Sequence, residues 1–100
     1  MTSINSKQRA YLKSAAMTMD AIFQVGKAGV TPELTKAVDE ALEARELIKI
    51  NMLKSCLDDP KTAAVVLSER TRSQVVQVIG RKIVLFRQAK EKSHFELQNL

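Results

Sequence analysis

One hundred residues with 45% hydrophobic side chains make a single compact domain, too apolar for a disordered chain and too short for a second core. No apolar run nears the roughly 18 residues that span a bilayer, and Met1–Lys7 lacks a leader's apolar core, so neither anchor nor signal peptide is expected. The lone Cys56 cannot close an internal disulfide, which suits a reducing cytoplasm.

Ser6 is positioned to cap a first helix over about Lys7–Thr18, with Leu12, Ala15, Ala16 and Met19 forming one apolar stripe at helical spacing. Asp20–Val25 reads as a strand. Thr31 and Pro32 then open a helix to about Ala44, since a threonine caps free amides and proline suits the first helical position. Its inner face would hold Leu34, Ala37, Val38, Ala41 and Leu42. Glu46–Leu53 alternates as a strand, with Ile48, Ile50 and Met52 on one side and Lys49 and Asn51 on the other.

Asp59 and Pro60 repeat the cap-then-proline start and open a third helix to about Thr71, packed through Ala63, Ala64, Val66 and Leu67. Gln74–Ile79 and Lys82–Arg87 are β-rich runs joined by Gly80-Arg81, a two-residue loop that fits a type II′ hairpin. That register pairs Val78 with Ile83 and Val76 with Leu85 on one apolar face, leaving Gln77, Lys82 and Val84 on the other. The expected fold is a single α/β (α+β) domain of order α-β-α-β-α-β-β, with a four-stranded mixed sheet and at least two helices on one face. It occupies residues 1–88. A polar tail over 89–100 is expected to fray, with Phe95 and Leu97 as its docking candidates.

Charge is unevenly laid out within the net +5. Residues 1–30 carry +3, residues 31–59 carry −3 and residues 60–92 carry +6, which predicts a basic face set against an acidic one. Such asymmetry is the electrostatic footprint of a nucleic-acid binder, and a merely solvated basic surface would look the same. The segment Val25-Gly26-Lys27-Ala28-Gly29-Val30-Thr31-Pro32 holds two of only three glycines, with one cation between them and a helix start after them. Glycines allow close backbone approach, and the helix's free amides favour an anion, so this loop is a candidate phosphate cradle. GxxG loops clamp nucleotide backbone in KH-type RNA binders, although a strand-to-helix turn also needs glycine for geometry alone.

Catalysis is not expected. The single histidine, His94, lies in the tail, and Cys56 has no nearby histidine to activate it. No metal-ligand spacing, dinucleotide fingerprint or P-loop is present, so no metal or cofactor is implied.

Four stretches bring a family into view: Lys7-Gln8-Arg9 with Leu12; Phe23-Gln24-Val25-Gly26-Lys27-Ala28-Gly29-Val30; Leu42–Ile50; and Val76–Arg87. In this order they resemble the CRM (chloroplast RNA splicing and ribosome maturation) domain in its short bacterial stand-alone form. Met19-Asp20 stands where members often have proline, and Phe86 where many have tyrosine. The resemblance implies a fold similar to the C-terminal domain of translation initiation factor three. It also implies RNA binding without catalysis, with 23S-type ribosomal RNA or a large-subunit (50S) precursor as partner. The family's GxxG loop maps onto Gly26, Lys27, Ala28 and Gly29. Lys7, Arg9, Lys13, Lys49, Arg81, Lys82 and Arg87 are further RNA-contact candidates chosen from charge and expected exposure. No membrane or small-molecule partner is expected, and a monomer suffices. The competing readings are a DNA-binding or nucleoid protein, and a protein-interaction module using an apolar sheet face and the acidic second helix.

Overall fold

The computed structural model describes residues 4–89, so the tail, His94 included, lies outside the described residues apart from Ala89. Three helices and four strands follow in the expected order: α1 (Ser6–Ala16), β1 (Phe23–Val25), α2 (Pro32–Arg45), β2 (Leu47–Met52), α3 (Pro60–Thr71), β3 (Gln74–Ile79) and β4 (Lys82–Phe86). The sheet order is β1-β2-β4-β3, with β1 parallel to β2 and the other neighbours antiparallel. It is therefore mixed.

Local chemistry sets the helix starts. Thr31 Oγ1 accepts the Leu34 amide at 3.0 Å, and an Asp59 carboxylate oxygen accepts the Thr62 amide at 3.1 Å, with proline at the first position of each helix. For α1 the cap is Asn5 rather than Ser6. Its side chain accepts from the Gln8 amide at 2.8 Å while the Gln8 side chain accepts from the Asn5 amide at 2.9 Å. A reciprocal box satisfies two terminal donors, whereas a Ser6 cap lacks that return bond.

Alternation along the strands separates two cores. Ile48, Ile50, Met52, Ile83 and Leu85 pack beneath α2 and α3 with Val38, Leu42, Ala64, Leu67 and the buried thiol of Cys56. On the other face Leu47, Val84 and Phe86 pack beneath α1 with Leu12 and Ala16. Burying Leu12 alone is worth about 2 kcal/mol of hydrophobic transfer. Both sheet faces thus carry helices, so the open apolar face required by the protein-interaction reading is filled.

The expected register fails at one residue. Val78 does pair with Ile83, but a bulge between Val75 and Gln77 leaves Val76 unpaired and sets Val75 opposite Leu85. The extra residue moves Val76 to the α1 face, where it is buried with Val84 and Phe86. Arg9 reaches across from α1 and donates through Nη1 to the carbonyls of Val75 and Val76, satisfying the bulged backbone. Past the bulge the hairpin closes as expected. Gly80 has φ +56 and Arg81 has no positive φ, the sign pattern of a type II′ turn.

Glu46 begins no strand. It caps α2 at φ 67, ψ −49, and it is only 1% exposed. Its carbonyl accepts the Arg87 amide at 2.9 Å, and its carboxylate accepts the Ala89 amide at 2.7 Å. One residue thus makes the whole turn from helix to strand, in a backbone region that is costly for any side chain.

Arg87 closes the same end of the molecule. Its guanidinium donates to Asp39 Oδ1 at 2.6 Å, to Glu43 Oε2 at 3.1 Å, and to the carbonyls of Thr71 and Asp39 at 2.7 and 3.0 Å. The side chain is only 16% exposed, so these bonds are shielded compared with surface ion pairs. Arg87→Ala is expected to lower folding stability by about 2 kcal/mol, or roughly 10 °C in Tm, while truncating exposed Lys82 shifts it by less than about 0.5 kcal/mol. Circular dichroism melts measure both.

Candidate nucleic-acid interface

The sequence after β1 folds into a tight turn because Gly26 and Gly29 close it with their own backbone. The Gly29 amide donates to the Gly26 carbonyl at 3.0 Å, which puts Lys27 and Ala28 at the exposed tip. Gly29 then takes φ +69, a left-handed conformation that glycine adopts without the cost of a Cβ. A Cβ there would also fall 2.5 Å from a carboxylate oxygen of Asp58. Gly26 is different: its φ is not positive, and a Cβ would meet only Leu53 and Ser55 at an ordinary 3.8 Å. The left-handed residue leads straight into Val30 and the Thr31 cap of α2.

Among the described residues, the Lys27 and Ala28 amides form no hydrogen bond, so the tip carries two free donors beside an ammonium group. That set of groups, placed just before a helix N-terminus, attracts an anion. The turn's placement is fixed from behind. The Val25 carbonyl accepts the Leu53 amide at 2.9 Å, binding the end of β1 to the end of β2.

The other candidate cations divide by chemistry. Arg81 does not project from the hairpin tip. It folds back, donating through Nε to the Met52 carbonyl at 3.0 Å and through Nη2 to the Leu53 and Cys56 carbonyls at 2.8 Å each. Arg9 and Arg87 are likewise engaged inside the fold, at the β3 bulge and at the α2–α3 junction. The lysines remain outside. Lys7, Lys27 and Lys82 are exposed, and Lys13 and Lys49 are half-buried.

Strand register shows which of these lie together. Gln24, Asn51 and Lys82 fall in one row across β1, β2 and β4, with the Asn51 amide donating to Gln24 at 2.7 Å. All three point to the sheet face opposite α2 and α3, as does Lys49 two residues back along β2. Lys82 and Lys49 thus flank a polar strip at the end of the sheet from which Lys27 projects. Lys7 and Lys13 lie on α1 instead, a separate basic element. Sequence reasoning passed over Leu53, Leu57 and Asp58, which the β2–α3 connection places around the loop. Their neighbours lie some thirty positions earlier, and no local pattern marks such an encounter.

Among the described residues, no helix is long and apolar enough to cross a membrane, and no cluster of side chains could hold a metal ion. A shallow groove of about 390 Å³ is lined by Pro32, Thr35, Lys36 and Asp39 of α2 and by Arg70 of α3.

Comparison with known proteins places the chain in a family of known fold. The model of the CRS1/YhbY (CRM) domain matches residues 4–87. The chain is 46% identical over 94 residues to "Probable RNA-binding protein YqeI" of Bacillus subtilis (strain 168), covering 94% of this chain and 98% of that one. It is 28% identical over 91 residues to an "RNA-binding protein" of Haemophilus influenzae, covering 91% and 92%. The solution structure of the hypothetical protein SAV1595 from Staphylococcus aureus has the same fold, with a TM-score of 0.81 at 47% identity over 95% of this chain and 99% of that one. A family match over nearly the whole described fold, joined to relatives of the same length and architecture, means that this chain belongs to the CRS1/YhbY (CRM) domain family.

Proposed function

We propose that this chain is a non-catalytic, cytoplasmic RNA-binding protein that acts as a monomer and holds 23S-type ribosomal RNA during assembly of the large ribosomal subunit. The observation that carries the reading is the turn at Gly26–Gly29: two unpaired amides and one ammonium group on an exposed tip, ahead of a capped helix. Backbone phosphate is the group that this arrangement fits, and Lys82 and Lys49 extend the attraction over the central strands on the sheet face opposite α2 and α3. Lys7 and Lys13 supply a second basic element on α1. Arg9, Arg81 and Arg87 serve the same surface indirectly, by fixing the elements that present it. Relatives named as RNA-binding proteins support RNA over DNA. Cations alone do not separate the two backbones, and competition between duplex DNA and ribosomal RNA fragments at fixed salt does.

If about five phosphates are neutralised, log K falls against log salt with a slope of about −3.5 to −4.5. Lys27→Ala is expected to reduce that slope by about one unit and to leave the melting curve unchanged, because the side chain is exposed and unpartnered. A slope near zero in a salt titration removes the phosphate mechanism altogether. Crosslinking in growing cells, followed by sequencing of the attached RNA, identifies the target. Fragments outside the large-subunit precursor would overturn the assembly role.

The two loop glycines should behave differently. Gly29→Ala is expected to cost about 1–2 kcal/mol of stability from its left-handed backbone, whereas Gly26→Ala stays within about 0.5 kcal/mol of the parent. Thermal melts beside RNA titrations separate the effects. A loss of affinity in the still-stable Gly26 variant belongs to the interface, while an equally destabilised Gly26 variant would mean that the turn's backbone is not as described.

A further inference from the structure

A groove of about 470 Å³ runs between the Gly26–Gly29 turn and the start of α3. Ala28 and Val30 form one wall, Ala63 and Val66 the other, and Leu57 and Asp58 stand at the lip. Ala28 therefore belongs both to the turn and to this groove. A strand whose phosphate sits on the turn can lay its neighbouring nucleoside at the groove's mouth, since Ala28 is common to both. The size lies within the range of small-ligand clefts, and the lining mixes the apolar Ala28, Val30 and Val66 with the polar Asp59 and Thr62.

Two features of the lip are unexplained by folding. Leu57 is 95% exposed, so it stabilises no core. Asp58 is exposed and forms no hydrogen bond or ion pair among the described residues, so its carboxylate beside Gly29 is open to a ligand. Its neighbour Asp59 is spent on the Thr62 amide and hydroxyl at 3.1 and 3.2 Å. A carboxylate beside a phosphate-binding turn opposes the phosphate, so Asp58 works against backbone affinity. Its gain must come from another part of the nucleotide. An ionised carboxylate only accepts hydrogen bonds, and it has two oxygens side by side. Guanine, alone among the four RNA bases, presents two adjacent donors, N1–H and the N2 amino group. Uracil offers one N–H between two carbonyl oxygens, and adenine and cytosine offer one amino group beside an acceptor nitrogen.

We infer that the groove between the Gly26–Gly29 turn and α3 is a guanine site, in which Leu57 and Val66 cover the ring and Asp58 accepts from its Watson–Crick edge. The inference rests on the RNA-binding reading given above and adds a base preference to it. Arginine has no part in this recognition, since the base itself supplies the donors.

The test is fluorescence anisotropy with the full chain and short single-stranded RNAs, uridine throughout except for one central guanosine, inosine or uridine. Inosine keeps N1–H and lacks the N2 amino group. The guanosine strand is expected to bind roughly tenfold more tightly than the inosine strand, the effect of one hydrogen bond to a charged acceptor. In Asp58→Ala the two strands should bind within about twofold of each other, while the all-uridine strand binds as well as before or better. Leu57→Ser should weaken the guanosine strand several-fold with an unchanged melting curve, as expected for an almost fully exposed residue. Equal binding of guanosine and inosine strands by the parent protein, with a steep salt slope, overturns the guanine site and leaves the phosphate-binding turn standing. An Asp58→Ala variant that loses all three strands by the same factor also overturns it, because Asp58 would then be structural. No binding of any strand, with no salt slope, overturns the turn and the groove together.

Discussion

The guanidinium of Arg81 is the tie on which the geometry of the candidate interface depends. It draws the β3–β4 hairpin tip against the connection that follows β2, through carbonyls of Met52, Leu53 and Cys56. Leu53 is the shared link: its carbonyl serves Arg81 while its amide serves Val25, the last residue of β1. β1 has only three residues and lies at the sheet edge, so it has little pairing of its own. The tie from behind is what makes the end of so short a strand a fixed platform for the turn at Gly26. Neutral hydrogen bonds would do this less well, since charge-assisted bonds are roughly twice as strong. A planar fork can also serve several carbonyls at once.

The same device recurs at two other joints. Arg9 secures the bulge that lets Val76 fill the core under α1, and Arg87 joins α2, α3 and the end of β4. In each case the guanidinium collects several carbonyl groups: at the β3 bulge, in the connection after β2, and on α2 and the end of α3. Buried carbonyls without donors are costly, and a domain with a bulge, a one-residue helix-to-strand turn and a tight hairpin creates several. The arginines therefore answer a demand made by the topology. This explains why they are engaged internally in a chain whose surplus of positive charge would suggest an external role.

Most of the architecture was legible because local rules and packing agree. Two cap-then-proline starts, the 3.6-residue stripes of α1 and α2 and the alternation of Ile48, Ile50 and Met52 each name their element without help from elsewhere. The failures share a different cause. Val75-Val76-Gln77-Val78 has no strict alternation, so a bulge cannot be read from it; the register is settled by Arg9, some sixty-six positions away. Glu46 turns with a positive φ where no glycine announces it, because buried bonds from Arg87 and Ala89 hold it there. The cations were legible as charge and illegible as geometry. Sequence cannot distinguish an arginine that faces solvent from one that reaches a carbonyl twenty-eight residues back, as Arg81 does.

Committing Arg9, Arg81 and Arg87 to the fold, while Lys27 and Lys82 stay exposed, has a consequence for recognition. Lysine is a compact, mobile point charge, good for drawing in phosphate and poor at reading the edge of a base, whereas the arginine fork is the usual reader of planar acceptors. With Arg9, Arg81 and Arg87 committed to the fold, the lysines at positions 27, 49 and 82 give the proposed interface attraction with little discrimination. The two strand phenylalanines are not free to stack on a base, because Phe86 is buried beneath α1 and Phe23 packs against the larger core. Beside the turn, shape and acceptors are then the available sources of selectivity. The groove beside the turn, with an unengaged carboxylate over Gly29, is where this surface places such an acceptor.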